Sequence, residues 1–299
     1  MTDKAAIVDF PSRIGVWWNS EAWHIREAQS IVREIEELGF GSLFMPEGAN
    51  KDALVESAAF LSATERIVVG TGIANIHFRI PTPAEGGART LAALHPRRFV
   101  LGLGVSHAPF VEENMKGTYA KPLATMRTYL ERMNTMPAEV EAGARPVRLL
   151  AALGPKMIEL SGELADGAHP YGVTPGHTET ARAILGPDKW LIPEQAVAIG
   201  GDAEDQLRRA RSHIGFYLEL ENYRNSFRRQ GFDESDLLDG GSDRLVHSLV
   251  GMGSAEHAAA SITAHLDAGA DHVVVQIIGD GLATDPRPAL RELASALEL

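Results

Sequence analysis

A glutamate, two histidines and two tryptophans stand where hydrophobic runs stop, and that position makes them candidates for chemistry. Glu47 follows Met45-Pro46 and precedes Gly48. His107 follows Gly102-Leu103-Gly104-Val105-Ser106. Trp17, Trp18 and Asn19 end the first apolar run, and His169 and Tyr171 end a later one. A carboxylate at a pocket mouth can serve as general acid or base once burial shifts its pKa, and imidazole suits proton transfer near neutral pH. Solvated or capping glutamates and packing histidines are the bland alternatives. Of the eleven histidines, most must be of that kind, His95, His257 and His265 on helical segments among them. Glu47 and His107 are the expected proton-transfer groups, with Trp17, Trp18, His169 and Tyr171 walling a substrate pocket.

The runs themselves carry a second signal. Ile67-Val68-Val69-Gly70-Thr71-Gly72-Ile73-Ala74-Asn75 and Phe99-Val100-Leu101-Gly102-Leu103-Gly104-Val105-Ser106-His107 are apolar throughout and end in small or polar residues. Parallel strands buried on both faces have this pattern. Glycine weakens a strand interior, so Gly70-x-Gly72 points to something approaching the backbone closely, a flat ring being the natural candidate. Gly104-Val105-Ser106-His107-Ala108 also resembles a serine nucleophile elbow with its last glycine replaced, although the strand rhythm of the chain argues against that fold. Two turns could hold an anion on free backbone N–H groups and a helix dipole: Thr174-Pro175-Gly176-His177-Thr178 and Gly200-Gly201-Asp202-Ala203-Glu204-Asp205. Three carboxylates disfavour the second. Ordinary capping explains both turns equally well.

These positions must be held by a repeating frame. Strand-like runs fall at 14–18, 42–45, 67–73, 99–104, 147–151, 167–171, 195–199 and 272–277, separated by helical spacing such as Ile25, Ala28, Ile31, Val32, Ile35 and Leu38 before the stop at Gly39. Eight strands alternating with helices predict an α/β chain folded as a (β/α)8 TIM barrel, one domain over residues 1–299, with active-site groups at the C-terminal strand ends. A doubly wound open sheet is the alternative, but no complete Gly-x-Gly-x-x-Gly follows the first strand. Long insertions follow strands four (105–146) and seven (200–271). The second carries a helix from Ala203 and the aromatic stretch His213, Phe216, Tyr217, Leu220, Tyr223. Insertions of this length are usually functional.

Composition narrows the classes. The 299 residues are 44% hydrophobic and 23% charged, as in a globular protein. Without cysteine there is no disulfide, thiolate ligand or cysteine nucleophile. No metal-ligand pattern or Walker loop stands out, so no metal is expected. A formal charge of −12 argues against nucleic-acid binding. With no leader-like N-terminus and no membrane-length apolar run, a cytoplasmic location with no membrane partner is the expectation.

The chain resembles the luciferase-like barrel oxidoreductases, and within them the group using the deazaflavin coenzyme F420. The resemblance is carried, in order, by Arg66-Ile67-Val68-Val69-Gly70-Thr71-Gly72-Ile73-Ala74-Asn75-Ile76, Arg98-Phe99-Val100-Leu101-Gly102-Leu103-Gly104-Val105-Ser106-His107, Asp166-Gly167-Ala168-His169-Pro170-Tyr171 and Ala268-Gly269-Ala270-Asp271-His272-Val273. It implies a non-proline cis peptide at Gly72–Ile73 backing the ring. Asn75, Gly104 and Ser106 would lie beside the ring, and Gly176, His177 and Thr178 near the coenzyme phosphate. It also implies hydride transfer to or from a small organic substrate, and a homodimer. Relatives acting on sugar phosphates or simple alcohols carry an Asp-His or similar pair after strand two and a glutamate after strand four. Pro46-Glu47 and His107 stand there instead, which reassigns the proton-transfer groups. The alternatives are an FMN-dependent monooxygenase on the same barrel and a barrel that binds a ligand without turnover.

Overall fold

The computed structural model describes residues 8–136 and 145–299. Its strands are β1 (Ile14–Trp17), β2 (Ser42–Met45), β3 (Val68–Thr71), the two-residue β4 (Ala74–Asn75), β5 (Phe99–Gly104), β6 (Val147–Leu150), β7 (Gly167–Ala168), β8 (Trp190–Leu191), β9 (Glu194–Ile199), β10 (Val250–Gly253) and β11 (Val273–Ile277). They pair in the order β10-β9-β11-β1-β2-β3-β5-β6-β7-β8, with β4 beside β5. Every pairing is parallel. The path turns back on itself because β8 runs into β9 through Ile192 and Pro193. Ile192 N donates to Ala168 O (3.0 Å) and Val274 N to Pro193 O (3.1 Å), so one split strand joins the two ends. The sequence-predicted barrel of eight βα repeats is therefore the observed architecture.

Helices surround the sheet: α1 (Ile25–Glu37), α2 (Ala53–Ala63), α3 (Pro81–Leu94), α4 (Pro122–Asn134), α5 (Pro155–Leu164), α6 (Pro175–Leu185), α7 (Ala203–Leu218), α8 (Glu221–Arg229), α9 (Asp243–Leu249), α10 (Ala255–Asp267) and α11 (Arg287–Ala296). In α1 the buried residues are Ala28, Ile31, Val32 and Ile35, the spacing that lays one apolar stripe on the sheet. Gly39 (φ 92°) ends that segment in a conformation that glycine adopts without a steric penalty. Among the described residues, no helix is long and apolar enough to cross a membrane.

Two elements were invisible in the sequence. β8 is only two residues long. β10, within the second insertion, is Val-Gly-Met-Gly, too short and glycine-rich to read as a strand, yet it pairs with β9 over four registered positions. Part of the first insertion, residues 137–144, lies outside the described residues; the remainder forms a single π-helical turn (Phe110–Asn114) and α4.

Candidate active site

The C-terminal strand ends enclose a cavity of about 740 Å³, a size suited to a cofactor or drug-sized ligand. Its floor is the bend after β3. The Gly72–Ile73 peptide is cis. Trp17 Nε1 donates to Gly72 O (2.8 Å), Gly72 N donates to Met45 O (2.7 Å) and Glu47 N to Ile73 O (3.1 Å). A Cβ on Gly72 would lie 2.8 Å from Trp17 Nε1 and 3.0 Å from His169 Nε2, and one on Gly104 would lie 2.3 Å from Ile73 Cδ1. The close approach read from Gly70-x-Gly72 is thus partly internal. At Gly70 the neighbour is the ring of Phe44, 2.7 Å from a Cβ placed there.

Glu47 lines this floor, but its carboxylate is fully engaged. Oε1 accepts from Ala53 N (3.0 Å) and Oε2 from Asn75 N (2.8 Å). The Arg79 guanidinium grips both oxygens, with the Nη1–Oε2 bond at 2.7 Å. Arg79 also binds Asp52 Oδ2 (2.8 Å), and Asp52 in turn caps α2 through Leu54 N and Val55 N. The Glu47 side chain is 2% exposed. A carboxylate so bonded fixes geometry and has no lone pair to spare for a substrate proton; sequence could not show that Arg79 would claim it.

His107 does face the cavity. Burial pushes its pKa down, partly offset by a hydrogen bond with Asn222, so the imidazole is neutral at pH 7. Its Nδ1 is buried without a partner among the described residues. His169 is also in the lining: Nδ1 donates to Ile192 O (2.6 Å), Nε2 has no partner among the described residues, and burial lowers the pKa to about 4.

The other sequence-predicted residues divide. Trp17, Gly72, Ile73, Asn75, Gly104, Ser106 and Tyr171 all line the cavity. Trp18 does not: strand alternation turns it outward, where it packs in the helical layer with Trp23 at a ring separation of 6.1 Å. Thr178 is fully buried, its hydroxyl 2.7 Å from His265 Nδ1. His177 Nε2 binds Leu153 O (3.1 Å). Of that turn only Gly176 is exposed. Ser106, at φ 60°, does stand on a strand-to-helix turn, with helical residues from Ala108, but its hydroxyl meets no base among the described residues, so the elbow pattern lacks the partner a serine nucleophile needs.

The second insertion closes one wall. Tyr217 Oη donates to Tyr171 Oη (2.7 Å), which donates to Gln276 Oε1 (2.5 Å). Tyr223 stacks near both, at ring separations of 4.6 Å from Tyr217 and 5.7 Å from His107. Behind them lies Glu194, 1% exposed. Its Oε2 accepts from Gly172 N (3.1 Å), and its Oε1 has no partner among the described residues. Burial raises the Glu194 pKa to about 8, against the lowering effect of the Gly172 N–H. At the far end of α8, Arg229 reaches the cavity as the only arginine or lysine lining it among the described residues, within 3.6 Å of a Cβ built on Gly154 at the start of α5. It has no anionic partner among the described residues. Arg229, Glu194 and Gln276 were missed from sequence.

Two outcomes follow. Glu47→Gln should lower unfolding stability by about 3 kcal/mol, because Arg79 loses its buried counter-charge; urea unfolding reads it, and an unchanged midpoint would contradict the clamp. For Glu194 the folded pKa lies above the unfolded one. The penalty is absent below the unfolded pKa, near 4.5, grows as pH rises through the interval, and is complete above about 8. Glu194→Gln should therefore gain stability over wild type progressively from pH 5 to pH 8.5 in thermal melts. A pH-independent difference would show that the carboxyl is not buried as described.

Residues 7–272 match the family described as luciferase-like monooxygenase. A curated protein of Mycobacterium tuberculosis, provisionally described as a coenzyme F420-dependent oxidoreductase, is 30% identical over 176 residues, 48% of this chain and 51% of that relative. The chain thus spans about half the length of that curated relative. Solved structures share the fold. An F420-dependent secondary alcohol dehydrogenase holding an F420-acetone adduct has a TM-score of 0.74 at 14% identity, over 95% of this chain and 98% of that one. The F420-dependent tetrahydromethanopterin reductase of Methanopyrus kandleri has 0.75 at 16%, with the same coverages. A type II Baeyer-Villiger monooxygenase of Pseudomonas putida in complex with FMN has 0.67 at 14%, over 94% and 95%. With the family match spanning most of its length, and a barrel whose β3 end carries the bend expected of that group, the chain belongs to the luciferase-like monooxygenase family of oxidoreductases.

Proposed function

We propose that the protein is a coenzyme F420-dependent oxidoreductase that moves a hydride between the deazaflavin and a small organic substrate. The observation that carries this reading is the clamped floor at Gly72–Ile73 beneath a cavity with an unpaired arginine at one end. A flat ring would rest on Gly72, Ile73 and Gly104, with Asn75 and Ser106 at its edge. The phosphate would meet Arg229 and the helix starts at Gly154 and Gly176, where dipoles and free N–H groups favour an anion. The M. tuberculosis relative, described as F420-dependent, supports the deazaflavin. When bound, a deazaflavin supplies two-electron hydride chemistry, which leaves the protein to position the substrate and handle one proton.

This chain's residues suit that division. Trp17 and the Glu47–Arg79 pair hold the floor rigid. The apolar lining keeps water from the reacting atoms. His107, neutral and beside the ring seat, is the group able to accept or return a proton. The same floor would also take the isoalloxazine of FMN, and the FMN-bound monooxygenase with this fold supports that second reading.

Titration of the purified protein with each cofactor, followed by ligand fluorescence, separates the two. F420 should bind at least about tenfold more tightly than FMN, and Arg229→Gln should weaken F420 by about tenfold, the worth of one charge-assisted hydrogen bond. Tight FMN binding with oxygen consumption would overturn the deazaflavin reading; an unchanged F420 affinity in Arg229→Gln would remove the phosphate assignment.

A further inference from the structure

Helix α8 presents two different things to one cavity. Arg229 stands at its C-terminal end and Tyr223 six residues earlier, about 9 Å along the axis at 1.5 Å per residue. If the cofactor's anion sits at Arg229, the remaining wall belongs to the substrate, and its chemistry is unusually uniform. Phe216 is 63% exposed at the mouth, Leu220 is buried and Tyr217 half-buried behind it, and Phe110 lines the cavity from the first insertion.

Two of the three phenols along this wall are already spent on one another, while His107 keeps one ring nitrogen without a partner among the described residues. Tyr217 and Tyr171 form a hydroxyl chain ending on Gln276, and His107 is engaged by Asn222. Tyr223 differs. Its ring is buried, but its hydroxyl finds no partner among the described residues and is not sealed from the cavity. Among the described residues no lysine or second arginine lines the cavity beside Arg229, and the Glu194 carboxyl lies close enough to act electrostatically on all three tyrosines.

We propose that this wall binds a neutral, ring-containing, largely apolar substrate whose single oxygen acceptor, such as a ketone carbonyl, takes a hydrogen bond from the Tyr223 hydroxyl. This rests on the functional reading above only in placing the cofactor at the other end. An anionic substrate would give up its hydration against a wall that offers no lysine or arginine among the described residues. A polyhydroxylated one would bury hydroxyls without partners, which is costly for each one left unpaired. A hydrocarbon would leave Tyr223 unpaired.

Calorimetry with three probes tests it: 1-tetralone, tetralin, which lacks the oxygen, and tetralin-1-carboxylate. Each is measured on the protein alone and on protein saturated with F420. In wild type, tetralone should bind about threefold to tenfold more tightly than tetralin, the worth of one neutral hydrogen bond, and the carboxylate most weakly. Tyr223→Phe should erase the gap between tetralone and tetralin while leaving tetralin unchanged. Phe216→Asp, at an exposed position that folding tolerates, should weaken both neutral probes without altering F420 affinity. Tetralone binding should persist when F420 is bound. The inference is overturned if tetralone does not bind, if the carboxylate binds best, if the gap survives in Tyr223→Phe, or if F420 expels tetralone. Failure of F420 to bind would sink the cofactor reading alone, because the probes are also read on the protein without it.

Discussion

The site depends on one buried ion pair. Glu47 and Arg79 stand 32 residues apart in sequence, yet their contact joins the end of β2, the β3 bend, the start of α2 and the chain leading into α3. Each Glu47 oxygen takes a backbone N–H as well as the guanidinium, which satisfies the carboxylate where water cannot reach it. A buried pair of this kind adds less net stability than its Coulomb attraction suggests, but losing one partner leaves an uncompensated charge. Its value lies in geometry: the floor at Gly72 and Ile73 cannot shift without breaking several polar contacts together.

Above that floor, three buried titratable groups stand uncharged at pH 7. His107 and His169 are held neutral by burial, and Glu194 keeps its proton at pH 7. Among the described residues, Arg229 supplies the one lasting positive charge in the lining. The result is a pocket with an anion-seeking end at Arg229 and an aromatic wall that includes Tyr223, two residues of the same nine-residue helix. An insertion that adds a wall to a barrel can thereby set cofactor anchoring and substrate character at once, without altering the strands beneath.

Much of this was legible in the sequence because parallel strands buried on both faces leave continuous apolar runs. All eight expected strands are present, and so is the cis bend at Gly72–Ile73 that the family resemblance implied. The errors have physical causes. Trp17 and Trp18 are neighbours in a strand, so only one could face the pocket; the alternation with Val16 held the answer. Glu47 read as a free carboxylate because its partner lies on another element, a tertiary contact that no local pattern announces. Thr178 read as a phosphate ligand because a capped helix start looks alike whether its side chains face in or out. Arg229 had a usable signal: Asn222, Asn225 and Arg229 recur at i, i+3 and i+7, one polar face of a helix, and all three line the cavity.

The most direct test of the account is a crystal structure of the protein with F420 bound. The account requires the deazaflavin ring to lie flat against the Gly72–Ile73 peptide and Gly104, with a phosphate oxygen within hydrogen-bonding distance of the Arg229 guanidinium. A ring seated against the tyrosine wall, or a phosphate remote from α8, would contradict it.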